Sequence, residues 1–157
     1  MLISIIAAIG KNNQIGLKGK LPWNIPEELN IFKKITMGHL LVMGRVTYVG
    51  LPKKLAGRKI IVLTKKKLKA DENLFYAQSV QETIELATSL KTQELIVCGG
   101  EKVYNSFIDL ATKLYLSEVF YDEDADSWFP DIKNNNWEQI HCKKHSFGNF
   151  KILTKKQ

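Results

Sequence analysis

Apolar runs bounded by turn residues alternate with amphipathic stretches along most of the chain. Residues 2–9, 39–43, 59–63, 94–98 and 114–120 are rich in Ile, Val and Leu. The first four are short and nearly continuous, the pattern of strands buried on both faces. Between them, residues 27–36, roughly 46–50, 80–90 and 101–110 carry helical spacing. Strands alternating with helices predict an α/β fold with a largely parallel sheet and helices on both sides. Near the C-terminus, residues 137–144 and 149–154 predict two strands joined through Ser146-Phe147-Gly148-Asn149, an antiparallel hairpin closing one sheet edge. No internal repeat, low-complexity tract or linker divides the chain, so a single domain over residues 1–157 is expected.

Two features break the apolar pattern in a chemically telling way. The first is Glu28. Pro26 suits the first position of a helix, where its missing N–H would have no partner. From there Glu28, Ile31, Phe32 and Ile35 follow the i, i+3, i+4, i+7 spacing of one face. The carboxylate therefore looks where the apolar side chains look, and desolvation there raises its pKa and prepares it to handle a proton. A plain structural role stays open on this helix alone, because Glu27 and Glu28 both lie in the first turn, where the helix dipole favours negative charge. The second feature is Gly99-Gly100, which ends a buried strand just before a helix. A glycine turn at a helix start exposes backbone N–H groups to an anion, although glycine there is often only turn chemistry.

In parallel sheets ligands collect beyond the carboxyl ends of the strands, and three segments with suitable donors fall there. They are Met43-Gly44-Arg45-Val46-Thr47, Leu63-Thr64-Lys65 and Cys98-Gly99-Gly100-Glu101-Lys102-Val103-Tyr104. Arginine, threonine and lysine offer phosphate donors, and glycine lets the backbone approach. The spacing is not the GxGxxG fingerprint, which disfavours an ordinary dinucleotide-binding fold.

Charge and composition narrow the choice. A chain of 157 residues, 45% hydrophobic, is long enough to bury a core without staples. The net charge of +7 would suit nucleic acid, a membrane surface or small anions. Its lysines come in small clusters, at Lys18 and Lys20, Lys53-Lys54, Lys65-Lys66-Lys67, Lys143-Lys144 and Lys155-Lys156, with no recognition module beside them. Nucleic acid is therefore not an expected partner. The run over residues 2–9 is far too short to cross a bilayer and has no basic region ahead of it, so no membrane association is expected. Cys98 and Cys142 form neither a disulfide framework nor a zinc motif, and the three scattered histidines give no metal site. A reducing cytoplasm and a monomer are the expected setting.

Taken in order, the motifs resemble the dihydrofolate reductase family over essentially the whole chain. The resemblance rests on Ile6-Ala7-Ala8, Ile15-Gly16, Leu21-Pro22-Trp23, Glu28 with Phe32, and Met43-Gly44-Arg45-Val46-Thr47. It continues through Gly57-Arg58-Lys59, Gly99-Gly100, Tyr104, and Asp126 with Phe129-Pro130. It implies a mostly parallel sheet of about eight strands with a C-terminal antiparallel hairpin and about four helices. It also implies an NADPH-dependent enzyme that transfers hydride to C6 of dihydrofolate while N5 is protonated, serving one-carbon and thymidylate metabolism and open to antifolate inhibitors.

By that resemblance, Glu28 holds the pterin and favours protonation at N5, Ser117 hydrogen-bonds Glu28 and the pterin, and Trp23 orders nearby water beside Leu21. Ile6, Ala7, Phe32, Leu51 and Cys98 line the folate site, with the carbonyls of Ile6 and Cys98 meeting the exocyclic amine of pteridine-like inhibitors. Arg58 takes the glutamate α-carboxylate, which a guanidinium can bind bidentately. Ala8 and Ile15 flank the nicotinamide. Thr47, Gly99, Gly100, Lys102 and Val103 surround the pyrophosphate, and Arg45, Thr64 and Lys65 the 2′-phosphate. Gly16, Gly44, Val46, Leu63, Cys98 and Tyr104 complete the cofactor set. The loop over residues 12–23 resembles a mobile lid hinged at Gly16 and Gly19. Glu28, where many bacterial relatives carry Asp, and the unusual segment over residues 49–54 imply lowered sensitivity to trimethoprim. Two other readings remain: the riboflavin-pathway reductase that shares this fold, and a basic binding module without catalysis, which would bind nucleic acid in a strongly salt-dependent way.

Overall fold

The apolar runs become the strands of a computed structural model that describes residues 1–66, 68–132 and 136–157; Lys67 of the third lysine cluster lies outside them. In chain order the elements are β1 (Leu2–Ile9), β2 (Gln14–Gly16), α1 (Pro26–Thr36), β3 (Leu40–Gly44), α2 (Arg45–Val49), β4 (Lys59–Leu63) and β5 (Leu74–Ala77). They continue with α3 (Val80–Ser89), β6 (Glu94–Val97), α4 (Glu101–Phe107), β7 (Lys113–Val119), β8 (Ser127–Trp128), β9 (Trp137–His145) and β10 (Gly148–Lys155). The main sheet has the order β5-β4-β3-β6-β1-β7-β10-β9. The six strands from β5 to β7 run parallel, and β10 and β9 are antiparallel.

Side-chain alternation along the central strands feeds two cores. Ile5, Val42, Ile61 and Leu95 face the layer of α3 and α4, whereas Ile6, Leu41, Met43, Ile60 and Ile96 face α1, whose Ile31, Phe32 and Ile35 cover them. After β1 the chain crosses to β3, moves outward to β5 and returns to place β6 between β3 and β1. That reversal brings the carboxyl ends of β1, β3, β4 and β6 side by side, the position where ligands collect in open α/β sheets.

Several elements depart from the sequence-based expectation. β5 and the short pair β2–β8 carry no strong apolar period and exist through their partners, Ile60 to Leu63 for β5 and Gln14↔Trp128 and Gly16↔Ser127 for the pair. α4 stops at Phe107 rather than 110. The hairpin is tighter than the predicted four-residue connection: β9 runs to His145, and only Ser146 and Phe147 intervene before β10 resumes at Gly148. Gly148 makes this possible, since its φ of 143° is one that side-chain-bearing residues rarely adopt.

Candidate functional site

Glu28 occupies the first turn of α1 on its sheet-facing side and is only 7% exposed. Burial raises its carboxyl to about 7, and among the described residues no protein donor binds it. A carboxyl in this state exchanges its proton near neutral pH. Tyr104 lies close enough to feel its field, and burial keeps the Tyr104 hydroxyl and the neighbouring Cys98 thiol protonated.

The walls around Glu28 come from the α1-facing layer. Ile6, Phe32, Leu51 and Cys98 belong to it, and Ala8 and Ser117 share its face by alternation with Ile6 and Tyr115 and sit in one row with Phe150. Four of the expected site residues stand as follows. Ala7 packs into the opposite core, so only its backbone can reach this groove; an unbroken apolar run hides which face each residue takes. Ser117 is buried on the right face, yet no hydrogen bond joins it to Glu28. Tyr104 spends its hydroxyl inward, donating to the Ile6 carbonyl at 2.8 Å, and its ring meets Phe129 edge-on. Leu21 is 44% exposed on the lid surface and joins neither core.

Trp23 ends the loop over residues 12–23. Its ring tilts against Tyr121 at 5.2 Å, and its buried Nε1–H has no protein acceptor among the described residues. A buried donor left open in this way fits a site that takes up water or ligand. The lid itself is tied down by residues the sequence reading did not assign to the site. Asp126 Oδ2 accepts from Lys18 N at 2.9 Å, the Asp126 N–H donates to Gly16 O at 2.9 Å, and β2 pairs with β8. A Cβ on Gly16 would stand 2.5 Å from Ser127 Oγ, so this glycine serves lid packing. Gly19, at φ 78°, turns the lid tip against α2, where its carbonyl lies 3.0 Å from the position of a Gly50 Cβ. Asp126→Ala should remove about 1 kcal/mol from the tied-down lid and lower kcat/KM about fivefold. The thermal midpoint should barely move, and proteolysis within residues 16–20 should accelerate.

The cofactor-type residues converge at the carboxyl ends of β3, β4 and β6. Gly44 N–H donates to Gly99 O at 2.9 Å, and Gly44 pairs with Leu63 across the sheet. A Cβ on Gly100 would stand 3.2 Å from Thr47 Oγ1, and one on Gly44 3.4 Å from Val103. The starts of α2 and α4 thus form a glycine-lined cradle that side chains would fill, suited to a diphosphate. Arg45 and Lys65 are exposed, and Thr64 half-buried, on the adjoining ends of β3 and β4; Lys102 is exposed on α4. Val46 is 61% exposed beside the lid, and Ile15 and Leu63 pack on the α4-side core.

Arg58 stands apart from this cradle, just before β4. Its Nε donates to Ala56 O at 3.0 Å and its Nη1 to buried Thr36 Oγ1 at 3.1 Å. These bonds fix the guanidinium plane and leave its Nη1–Nη2 edge for a carboxylate. A cavity of about 790 Å³ also touches Arg58 but opens at the amino ends of the strands, among His39, Lys59 and Glu94, away from Glu28.

Comparison with known proteins places this geometry. A family model described as dihydrofolate reductase matches residues 2–152. A dihydrofolate reductase of Buchnera aphidicola from Acyrthosiphon pisum is 38% identical over 148 residues, covering 93% of this chain and 90% of the relative. The type 3 dihydrofolate reductase of Salmonella typhimurium is 32% identical, covering 92% and 88%. Among solved structures, dihydrofolate reductase from Enterococcus faecalis complexed with NADP(H) and RAB-propyl superposes with a TM-score of 0.88 at 27% identity, covering 99% of this chain and 97% of that one.

Proposed function

The chain belongs to the dihydrofolate reductase family, and from that premise we propose which of its residues carry the reaction. The enzyme reduces 7,8-dihydrofolate to tetrahydrofolate, with hydride delivered to C6 and a proton to N5. NADPH, when bound, supplies the hydride; the glycine cradle and the nearby cations fit its diphosphate and 2′-phosphate.

The observation that carries the assignment of roles is Glu28, a buried carboxyl with no protein donor among the described residues and titrating near neutrality. It binds the amidine-like edge of the pterin and favours the N5-protonated substrate, with solvent as the carrier, since a group bound at that edge does not reach N5. Trp23, through its free Nε1–H, orders that solvent. Ser117 supports the pterin itself. Phe32, Leu51 and Ile6 exclude water from the substrate, which strengthens the charged hydrogen bonds inside. Arg45 and Lys65, with the Thr64 hydroxyl beside them, select the phosphorylated cofactor, because NADH would leave the two positive charges unmatched.

Arg58 takes the α-carboxylate of the substrate's glutamate. Arg58→Ala should weaken dihydrofolate binding by about 1.5–3 kcal/mol, the worth of a charged hydrogen bond, while NADPH binding measured by fluorescence stays unchanged. Equal weakening of both would remove Arg58 from the substrate site.

The same reading treats residues 1–157 as one domain acting as a monomer in the cytoplasm; no helix among the described residues is long and apolar enough to cross a membrane. It also extends to trimethoprim. Glu28 has a longer arm than Asp, and Leu51 beside Lys53-Lys54 alters the outer wall, so the inhibition constant should stand well above that of sensitive bacterial enzymes. A constant as low as theirs would remove this part of the proposal.

A further inference from the structure

α1 begins without a side-chain cap: its N-cap is Ile25, which can offer the exposed N–H groups nothing. Its first turn is held from outside the helix instead. Glu27 Oε1 accepts from His145 Nδ1 at 2.5 Å, and Glu27 Oε2 accepts from Ser146 Oγ at 2.8 Å. These donors end β9 and begin the tight turn, 118 and 119 residues further along the chain. His145 is itself fixed, its ring stacked on buried Phe147 with centroids 5.0 Å apart and planes 13° from parallel. The His145 hydrogen bond, followed by that from Ser146, holds the Glu27 carboxyl below the usual carboxylate range, and Lys143 on the same hairpin adds a smaller positive field. Glu27 therefore stays ionised around neutral pH and the clamp persists.

Glu28 is the next residue in that turn and has no protein donor of its own among the described residues. Its position comes from the backbone of the turn and from packing. We propose that His145, with Ser146, is a positioning residue for the reaction: by clamping Glu27 it sets where the first turn of α1, and with it the Glu28 carboxyl, stands relative to the substrate groove. This rests on the reading of Glu28 as the proton-handling group. A merely structural clamp would lower the melting temperature and leave the pH profile of turnover untouched.

The test uses the full chain and the variants His145→Ala, Glu27→Ala, their double, Ser146→Ala and His145→Gln, reading kcat, KM for dihydrofolate, the pH profile of kcat and NADPH affinity. His145→Ala and Glu27→Ala should each lower kcat about tenfold, as a small displacement of a reacting group does, and move the midpoint of the pH profile. NADPH affinity should stay within about twofold, and the double variant should match the worse single, because both break one contact. His145→Gln, whose amide can still donate, should recover most of the rate. Wild-type kcat and pH profile in variants that bind NADPH normally, or effects that multiply in the double, would overturn the proposal. If His145→Ala no longer binds NADPH, Ser146→Ala decides: a kcat lowered about threefold supports the clamp, and an unchanged kcat overturns it. Glu28→Gln separates the two readings. If it leaves turnover intact, the role of Glu28 fails; if it is damaging while the His145 variants are silent, only the clamp fails.

Discussion

Glu28→Gln should lower turnover at neutral pH on the order of 100-fold, the scale of a lost acid–base group, and leave NADPH affinity nearly unchanged. The amide keeps the shape of the side chain and can still meet the pterin edge, but it carries neither the negative charge nor the exchangeable proton. Part of the rate should return at acid pH, where solvent protonates the substrate directly. The same substitution should act oppositely on stability. Burial lifts the Glu28 carboxyl from 4.5 to about 7, so between those values the folded chain binds a proton that the unfolded chain does not. Stability therefore falls as pH rises through that window, by about 3 kcal/mol in total. Glu28→Gln has no such loss, and above about pH 7 it should unfold at higher denaturant than the wild type in the absence of ligands. An unchanged kcat would refute the catalytic role. A wild-type stability profile in the variant would show that the carboxyl is not desolvated.

Gly148→Ala should destabilise the fold by about 3 kcal/mol or more, enough to lower the melting temperature by roughly 6–12 °C in a chain of this size. Two independent causes act together. Its φ is 143°, and an added Cβ would stand 1.8 Å from the Glu118 carbonyl oxygen and 2.9 Å from its carbon. Both atoms belong to the backbone of β7, the partner of β10, so no side-chain rotation relieves the contact. The damage should appear in the melting curve, whereas the KM values of whatever folded fraction remains should stay close to wild type. A melting temperature within about 2 °C of wild type would mean that the hairpin is not held in this geometry.

The strands that build the site were legible in sequence because β1, β3, β4 and β6 are buried on both faces and read as unbroken Ile, Val and Leu runs. The same property hid the facing of Ala7, since a run without alternation carries no face information. β2, β8 and β5 were not legible: Gln-Ile-Gly, Ser-Trp and Leu-Phe-Tyr-Ala have no period of their own and become strands through distant partners. Glu28 was visible because the period of α1 singles it out. Its lack of a bond from Ser117 was not visible, because side-chain reach depends on the packed distance between α1 and β7. The Asp126 tie on the lid and the His145–Glu27 contact were equally out of reach, since each joins residues more than 100 apart in sequence.

The most direct test of the account is dihydrofolate-dependent oxidation of NADPH by the purified protein, followed by absorbance from about pH 5 to about pH 9, with NADH in parallel. The account predicts turnover that prefers NADPH clearly and falls as pH rises through about 7. Oxidation that ignores dihydrofolate, runs equally well with NADH, or stays flat across that pH range would contradict it.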